Sequence, residues 1–465
     1  MRVLLISTNR ERKPSFAIPI GVAHLQTALI HAGFETEILD LCFCSDEELQ
    51  PVVGRKLQEF PAGLIGISIR NIDNETFLQY RGNLGDVRLV VETCRHHSSA
   101  PIVVGGSAFS LMPEEIMRTL DVQLGVVGEG ENAIVELAHA VQLGEAFQRV
   151  PGLVTLSDDV YSGAEPSRVQ NMATVVSPEH FVPDERYFST QVVGPQPTYG
   201  VQTKRGCAFR CSYCPVPSIE GKPFRLRQPE EIVNEIQHLQ KTSGLQRVFF
   251  TDSIINIPRR HALAFTRAMI DAKLNVRWMA YANPLQFTQD MADQFVEAGC
   301  QILNFGIDAA CEEMLTSLQK DFRVEDIFNA TAQCKKAGIR VIHSLLLGAP
   351  NESPETVRKT LAAVGQMAPH ILTIAIGIRL YPQTPLWKML ESQLPSIHNA
   401  NMLEPIFYLE PRLTRVDRQH ILDLIQEFIQ AHPHIPVKMN FNLDSLIAEE
   451  TEQALQASLV KGVAL

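Results

Sequence analysis

Short apolar runs alternate with helical periodicity along most of this chain, in two separate series. The first has strand-like segments at 2–8, 35–41, 64–70, 101–107 and 123–131, with helical patterns at 20–33, 47–60, 85–97 and 112–120 and another after 131. Five strands, each followed by a helix, predict a parallel sheet covered on both faces. The second series has strands at 199–204, 247–252, 276–281, 301–307, 339–348 and 371–380, with helical patterns between them. Six such units predict a partial (βα) barrel, with active groups at the carboxyl ends of its strands. The expected chain is therefore α/β: a doubly wound sheet (1–145), a linker (146–198) with one short hairpin at 152–163, a partial barrel (199–385) and a helical C-terminal region (386–465) built on the amphipathic stretch 418–432.

In the first half the unusual residues fall in the loops after strands one, three, four and five. They are Asn9 and Arg10; Arg70, Asn71, Asp73 and Asn74; Gly105, Gly106 and Ser107; and Gly128, Glu129, Gly130 and Glu131. Carboxyl strand ends at the switch point of an open parallel sheet are where ligands bind. Glycine there lets a large ligand approach the backbone. The four loops together predict a binding edge.

Charged residues make up 20% of the chain and hydrophobic ones 45%, the balance of a globular protein rather than a disordered one. A formal net charge of −11 gives no reason to expect a nucleic-acid partner. No apolar run approaches the length of a membrane span, and the N-terminal apolar stretch is too short for a signal peptide. Nine cysteines, six of them scattered, do not make a secreted disulfide framework. A reducing, cytoplasmic setting is expected.

The other three cysteines are crowded into TKRGCAFRCSYCP (203–215), in the loop after the first barrel strand. A disulfide would leave one thiol over. A structural zinc site wants four ligands, usually in two spaced pairs, and no fourth ligand follows at such spacing. A C-x-x-C redox pair would leave Cys207 unexplained. Three thiolates on one tight loop can instead hold three irons of a four-iron cluster and leave the fourth open. Cys207, Cys211 and Cys214 are therefore the candidate metal ligands.

With Tyr213 before its last cysteine, and on the first loop of a six-unit barrel, this motif resembles the radical S-adenosylmethionine (SAM) superfamily. FTDSIIN (250–256), FGIDAA (305–310), LLGAPNES (346–353) and GIRLYPQTPL (377–386) resemble its cobalamin-dependent branch. The first half then resembles that branch's Rossmann-like cobalamin-binding domain, and its loop residues become candidate cobalamin contacts. The resemblance implies a [4Fe–4S] cluster, SAM and cobalamin as cofactors, with SAM chelating the open iron.

Within that resemblance, Tyr213 packs near the adenine. Asp252 and Ser253 hold the cationic amino group, and Asn256 either joins them or caps the next helix. Asp308 stands where the family usually carries a glutamate, so its ribose contact has a shorter arm. Lys320 pairs with the methionine carboxylate or is a solvated surface charge. Arg379 and Tyr381 end the sixth strand and meet substrate or cobalamin as the catalytic candidates. His343, inside an apolar strand, is either a core histidine or a catalytic one. The first-strand loop lacks the Asp-x-His-x-x-Gly pattern that ligates cobalt, and His24 lies in the next helix. The expectation is histidine-off cobalamin, with Arg70 beneath the corrin, since a guanidinium is a poor metal ligand.

The implied activity is methyl transfer from methylcobalamin to an unactivated carbon of a small-molecule, lipid or natural-product substrate, through a 5′-deoxyadenosyl radical. A flavodoxin- or ferredoxin-type protein would supply electrons. Cyclisation or rearrangement with the same cofactors is the alternative enzyme reading. A non-catalytic corrinoid sensor or carrier is the alternative from another class.

Overall fold

In the computed structural model, residues 1–439 are described, apart from 13–15, 75–76, 78–80, 148–149, 176, 189–197, 392–402 and 414–416. The first sheet contains β1 (Arg2–Ser7), β2 (Glu35–Asp40), β3 (Leu64–Ser68), β4 (Ile102–Gly105), β5 (Leu124–Val126), β6 (Leu153–Ser157) and β7 (Val160–Ser162), in the order β2-β1-β3-β4-β5-β6-β7. The first five are parallel, as the alternation requires. Their interiors read as continuous apolar runs because helices cover both faces: Val3, Leu4, Leu5 and Ile6 are all buried. The hairpin β6–β7 does not stand alone in a linker. It extends the sheet, with β6 pairing antiparallel to β5.

The second sheet uses β8 (Thr198–Val201), followed by the two-residue ribbon β9 (Lys204–Arg205) and β10 (Arg225–Leu226). Next come β11 (Arg247–Phe250), β12 (Arg277–Ala282), β13 (Cys300–Asp308), β14 (Arg340–Leu347) and β15 (Ile371–Ile376). A second ribbon, β16 (Ile378–Arg379) with β17 (Phe407–Tyr408), follows, and β18 (Val437–Met439) ends the described chain. The sheet order is β18-β15-β14-β13-β12-β11-β8. The six expected strands are parallel. The C-terminal region is not purely helical: β18 adds a seventh parallel strand beside β15, while the helix Asp417–Ala431 precedes it.

Trp278, Phe250, Phe265 and Phe295 form a buried aromatic stack beneath this sheet, with ring centroids 5.2–5.4 Å apart in edge-on geometry. That core holds strands β11 and β12 rigidly, so their carboxyl ends are fixed platforms for the loops above. Among the described residues no helix is long and apolar enough to cross a membrane.

Candidate functional site

The cysteine loop grows out of β9 and is closed by its pairing with β10. Gly206 has φ +92°, and a Cβ there would sit 2.1 Å from the Pro223 carbonyl oxygen, so glycine is required. Cys207 donates its amide to Gly221 O at 3.0 Å and Cys214 to Cys211 O at 3.1 Å. Ser212 is tied at both ends, its amide to Leu318 O at 3.0 Å and its carbonyl to the Leu386 amide at 2.7 Å. Backbone hydrogen bonds thus fix the loop at both ends.

Among the described residues, the three sulfurs do not form a group with all ligand atoms within 4.8 Å of one another. One zinc ion at about 2.3 Å from each sulfur would hold them at about 3.8 Å. The wider spread and the all-thiolate donor set fit a multi-iron cluster. Burial pushes the Cys214 thiol up to about 12 and raises Cys207 and Cys211 as well. Bare, these thiols are poor nucleophiles at neutral pH; a bound metal is what deprotonates them.

Asp252, just past β11, faces the root of this loop. Its carboxylate accepts the Thr203 amide at 2.7 Å, the Thr203 hydroxyl, and the Lys204 ammonium at 2.9 Å. Lys204 also reaches Ile255 O at 3.2 Å. The Asp252 carboxylate, a candidate to hold an amino group of SAM, also positions the root of the cysteine loop. Ser253 is half-buried beside it. Asn256 is buried and exchanges hydrogen bonds with the Asn283 backbone at 2.8 and 2.9 Å. It joins the loops after β11 and β12 instead of capping a helix.

A β-bulge separates Phe305 from Asp308 in β13, and Asp308 takes φ +62°. The distortion turns its carboxylate toward the cysteine loop, where it receives both the Tyr213 hydroxyl and the Lys320 ammonium. Lys320 also donates to Gly306 O at 3.1 Å and lies 5.6 Å from the Tyr213 ring centroid. Burial opposes the Lys320 charge, but Asp308 and Cys211 outweigh it and the pKa is raised. Lys320 is therefore a buried, persistent cation against the cysteines and not a solvated surface charge.

Between the sheets lies a cleft of about 490 Å³, open to solvent. Arg70, Asn71, Asp73 and Ser107 line it from the first sheet; Pro215, Ile219 and Tyr381 line it from the cysteine loop and the end of the second. Gly106 has φ +109°, and a Cβ there would meet Ile69 O at 2.5 Å, so only glycine lets the β4 loop close onto β3. Ser107 then donates to Arg70 O at 2.9 Å. Gly105 is less constrained, a Cβ there lying 3.4 Å from Val126 O. Asn9 is buried, and neither polar atom of its amide has a hydrogen-bond partner among the described residues. Such an orphan at a carboxyl strand end fits a polar ligand on this edge. Among the described residues that line the cleft there is no histidine.

A family model for the radical SAM superfamily matches residues 201–364, and one for the B12-binding domain matches residues 12–138. The chain belongs to the cobalamin-dependent radical SAM enzymes. It is 25% identical over 466 residues to a tryptophan 2-C-methyltransferase of Streptomyces laurentii, covering 86% of this chain and 76% of that protein. An uncharacterised methyltransferase of Pyrococcus horikoshii is 24% identical over 80% of this chain and 78% of its own length. The solved structure of the radical SAM methyltransferase TsrM from Kitasatospora setae, with cobalamin and a [4Fe–4S] cluster bound, matches with a TM-score of 0.84 at 24% identity, covering 99% of this chain and 100% of that one. The cofactors of this radical SAM enzyme are a [4Fe–4S] cluster, SAM and cobalamin.

The loop 128–131 of this radical SAM enzyme also joins its two halves. Gly128 has φ +86° and packs its backbone against Ser167, whose carbonyl would lie 2.2 Å from a Cβ. Glu129 pairs with Arg225 at 2.5 Å and with Arg205 at 3.2 Å. Glu131 pairs with Arg205 at 2.5 Å, and Gly130 precedes the helix Glu131–Leu143. Arg205 immediately precedes Gly206 and Cys207, so this buried latch connects the cobalamin-binding half to the root of the cysteine loop. Arg379 and Asp73 make a second connection at 3.2 Å, with the guanidinium 5.1 Å from the Tyr381 ring centroid. Arg379 is thus buried in an ion pair, while Tyr381 faces the cleft. Arg10 is likewise a clamp, bonded to Asp86 at 2.6 Å, to Asp46 and to Cys44 O. Asn74 ties its own loop to the Arg81 amide at 3.0 Å.

Sequence reasoning missed Lys204, Arg205, Arg225 and Asn283. The only local signal was two cations, Lys204 and Arg205, immediately before Gly206-Cys207.

His343 is a core residue of this enzyme. It is fully buried, its Nε2 lies 3.0 Å from Thr331 Oγ1, and burial lowers its pKa to about 3. Below about pH 6.5 the unfolded chain gains a proton that the folded chain refuses. Stability present above pH 6.5 is therefore lost as the pH falls toward 3. The expected loss from this group is about 2–3 kcal/mol between pH 6.5 and 4.5. Denaturation midpoints across that range should fall more steeply for the native chain than for His343→Leu.

Proposed function

We propose that this enzyme methylates a carbon atom of a small-molecule substrate seated in the cleft between its two halves. The observation that carries this reading is the cleft itself: residues of the cobalamin-binding edge and of the cysteine loop line the same space. Its similarity to a tryptophan 2-C-methyltransferase and to an uncharacterised methyltransferase, each matched over most of the chain, supports it. When bound, cobalamin supplies a methyl carrier, while the cluster and SAM supply reductive formation of an adenosyl radical that removes hydrogen from the substrate carbon.

The protein's own part is placement. Asp252 and the ribbon β9–β10 hold Cys207, Cys211 and Cys214 in register. Lys320, held by Asp308 and Tyr213, keeps a positive charge beside the thiolates, favouring their anionic form and an anionic group near them. Ser253 and Tyr213 remain candidates to meet SAM. Arg70 and Asn71 remain candidates to meet the corrin, with Asn9 offering its amide from the neighbouring loop. Arg70, which lines the cleft, is the candidate to lie under the corrin, a guanidinium being a poor metal ligand. Tyr381 is the candidate to touch substrate. A flavodoxin- or ferredoxin-type electron donor and a reducing cytoplasmic setting suit this chemistry.

The test is anaerobic turnover of the reconstituted enzyme with methyl-deuterated SAM, first on tryptophan and then on host extract. A product carrying the intact labelled methyl group is expected. 5′-Deoxyadenosine without label transfer would replace methylation by cyclisation or rearrangement. Neither product under reducing conditions would leave only a corrinoid carrier.

A further inference from the structure

Away from the cleft, two histidines and a glutamate from opposite halves converge at the surface. His31 ends the helix Ile20–His31, which packs on the first sheet. Glu179 and His180 lie on a turn fastened to the second half. Glu179 donates its amide to Ser177 O at 2.7 Å, and Ser177 donates its hydroxyl to Glu235 at 3.1 Å. Glu235 is itself held by Arg227 in a buried pair at 2.6 Å. On the other side of the turn, Phe181 O accepts the Tyr199 hydroxyl at 3.4 Å.

His31 Nε2 lies 3.1 Å from Glu179 Oε1, and His180 Nε2 lies 3.6 Å from the same oxygen. The two rings stand at 85° with centroids 6.0 Å apart. One ligand atom from each side chain falls within 4.8 Å of the other two, and all three residues are exposed. A hydrogen bond accounts for the 3.1 Å contact, but 3.6 Å is too long for a good one. The second imidazole therefore converges on the carboxylate without a strong contact to hold it there.

We propose that His31, Glu179 and His180 form a site for a divalent transition metal of the zinc class, bridging the cobalamin-binding half to the barrel half. Two imidazoles and one carboxylate suit zinc, nickel or copper, whereas calcium and magnesium prefer all-oxygen shells. Three protein ligands leave a position for water, in keeping with the exposed location. The nitrogen and oxygen donors also separate this site chemically from the thiolate loop, which selects iron and sulfide. The metal would tie together the two halves whose residues line the cofactor cleft.

The experiment uses anaerobically reconstituted holoenzyme with cluster and cobalamin in place, stripped of loosely bound metal and titrated with Zn²⁺ by calorimetry. One zinc per chain is expected to bind. His31→Ala and His180→Gln should each weaken it by at least about tenfold, since even residues behind a metal's ligands cost that much. A tenfold excess of Mg²⁺ should not compete. Zinc should also slow cobalamin loss into dilute buffer for the native chain and leave it unchanged in both variants. Iron and cobalamin contents equal to the native chain's show that the variants are folded. Zinc affinity unchanged in both variants would overturn the site. Zinc bound at these residues without any effect on cobalamin loss would overturn the bridge.

Discussion

A Cys211→Ala chain is expected to hold no intact four-iron cluster and to lose product formation by more than about 10³-fold, while still binding cobalamin. The expectation follows from the donor set. Only Cys207, Cys211 and Cys214 lie on the loop, and a cluster with one iron already open cannot spare a second thiolate. A thousandfold loss corresponds to about 4 kcal/mol of transition-state stabilisation, well within what cofactor loss removes. Cobalamin binding is the control, because the first-sheet residues lining the cleft belong to loops that Cys211 does not support. Iron analysis, visible absorption of bound cobalamin and product assay on one preparation separate loss of the cluster from general unfolding. A variant with full iron content and full activity would remove Cys211 from the ligand set.

Replacing Glu129 by alanine should be the most destabilising single change at the boundary between the halves, by about 3–5 kcal/mol. Its carboxylate is shared by Arg225 and Arg205, and all three side chains are 8–9% exposed. Removing it strands buried positive charge. Arg205 keeps Glu131, but Arg225 keeps only carbonyl partners, at Val169 and Glu220. The thermal midpoint should fall by roughly 3–5 °C. Pairing the change with Arg225→Met should recover most of the loss, because an apolar replacement of both partners removes the stranded charge. Equal midpoints for the single and double variants would show that the latch contributes through packing and not through charge. Since Arg205 adjoins the cysteine loop, the single variant should also reconstitute less iron.

How much of this was legible beforehand depends on how local the signal is. The strand–helix alternation is local, and it located the five parallel strands of the first sheet and six of the second. The cysteine spacing is local too, as is Gly106, whose positive φ the structure requires. The strand Val437–Met439 was not visible, since three residues cannot show a period. The hairpin at 153–162 was legible as a hairpin, but its pairing to β5 is a tertiary choice.

Charged residues misled most. Glu129 and Glu131 stand in a glycine-rich loop after a strand, where a ligand edge is expected. Their partners lie 96 and 74 positions away, and nothing local reveals them. The contacts of Asp252 with Thr203 and Lys204 are likewise long-range, 49 and 48 positions apart, and no local signal shows them. For Lys320 the sequence left a carboxylate partner and a solvated charge both open, and burial against Asp308 is a property of the fold alone.

The central claim is that three protein thiolates hold a cluster whose remaining iron is open, next to a bound corrinoid. Mössbauer spectroscopy of the ⁵⁷Fe-reconstituted, cobalamin-loaded enzyme, with and without SAM, tests it most directly. The account predicts four irons and one cobalamin per chain, with one iron site changing its parameters on SAM addition and the other three unchanged. Zinc in place of iron, or four iron sites that SAM leaves untouched, would contradict it.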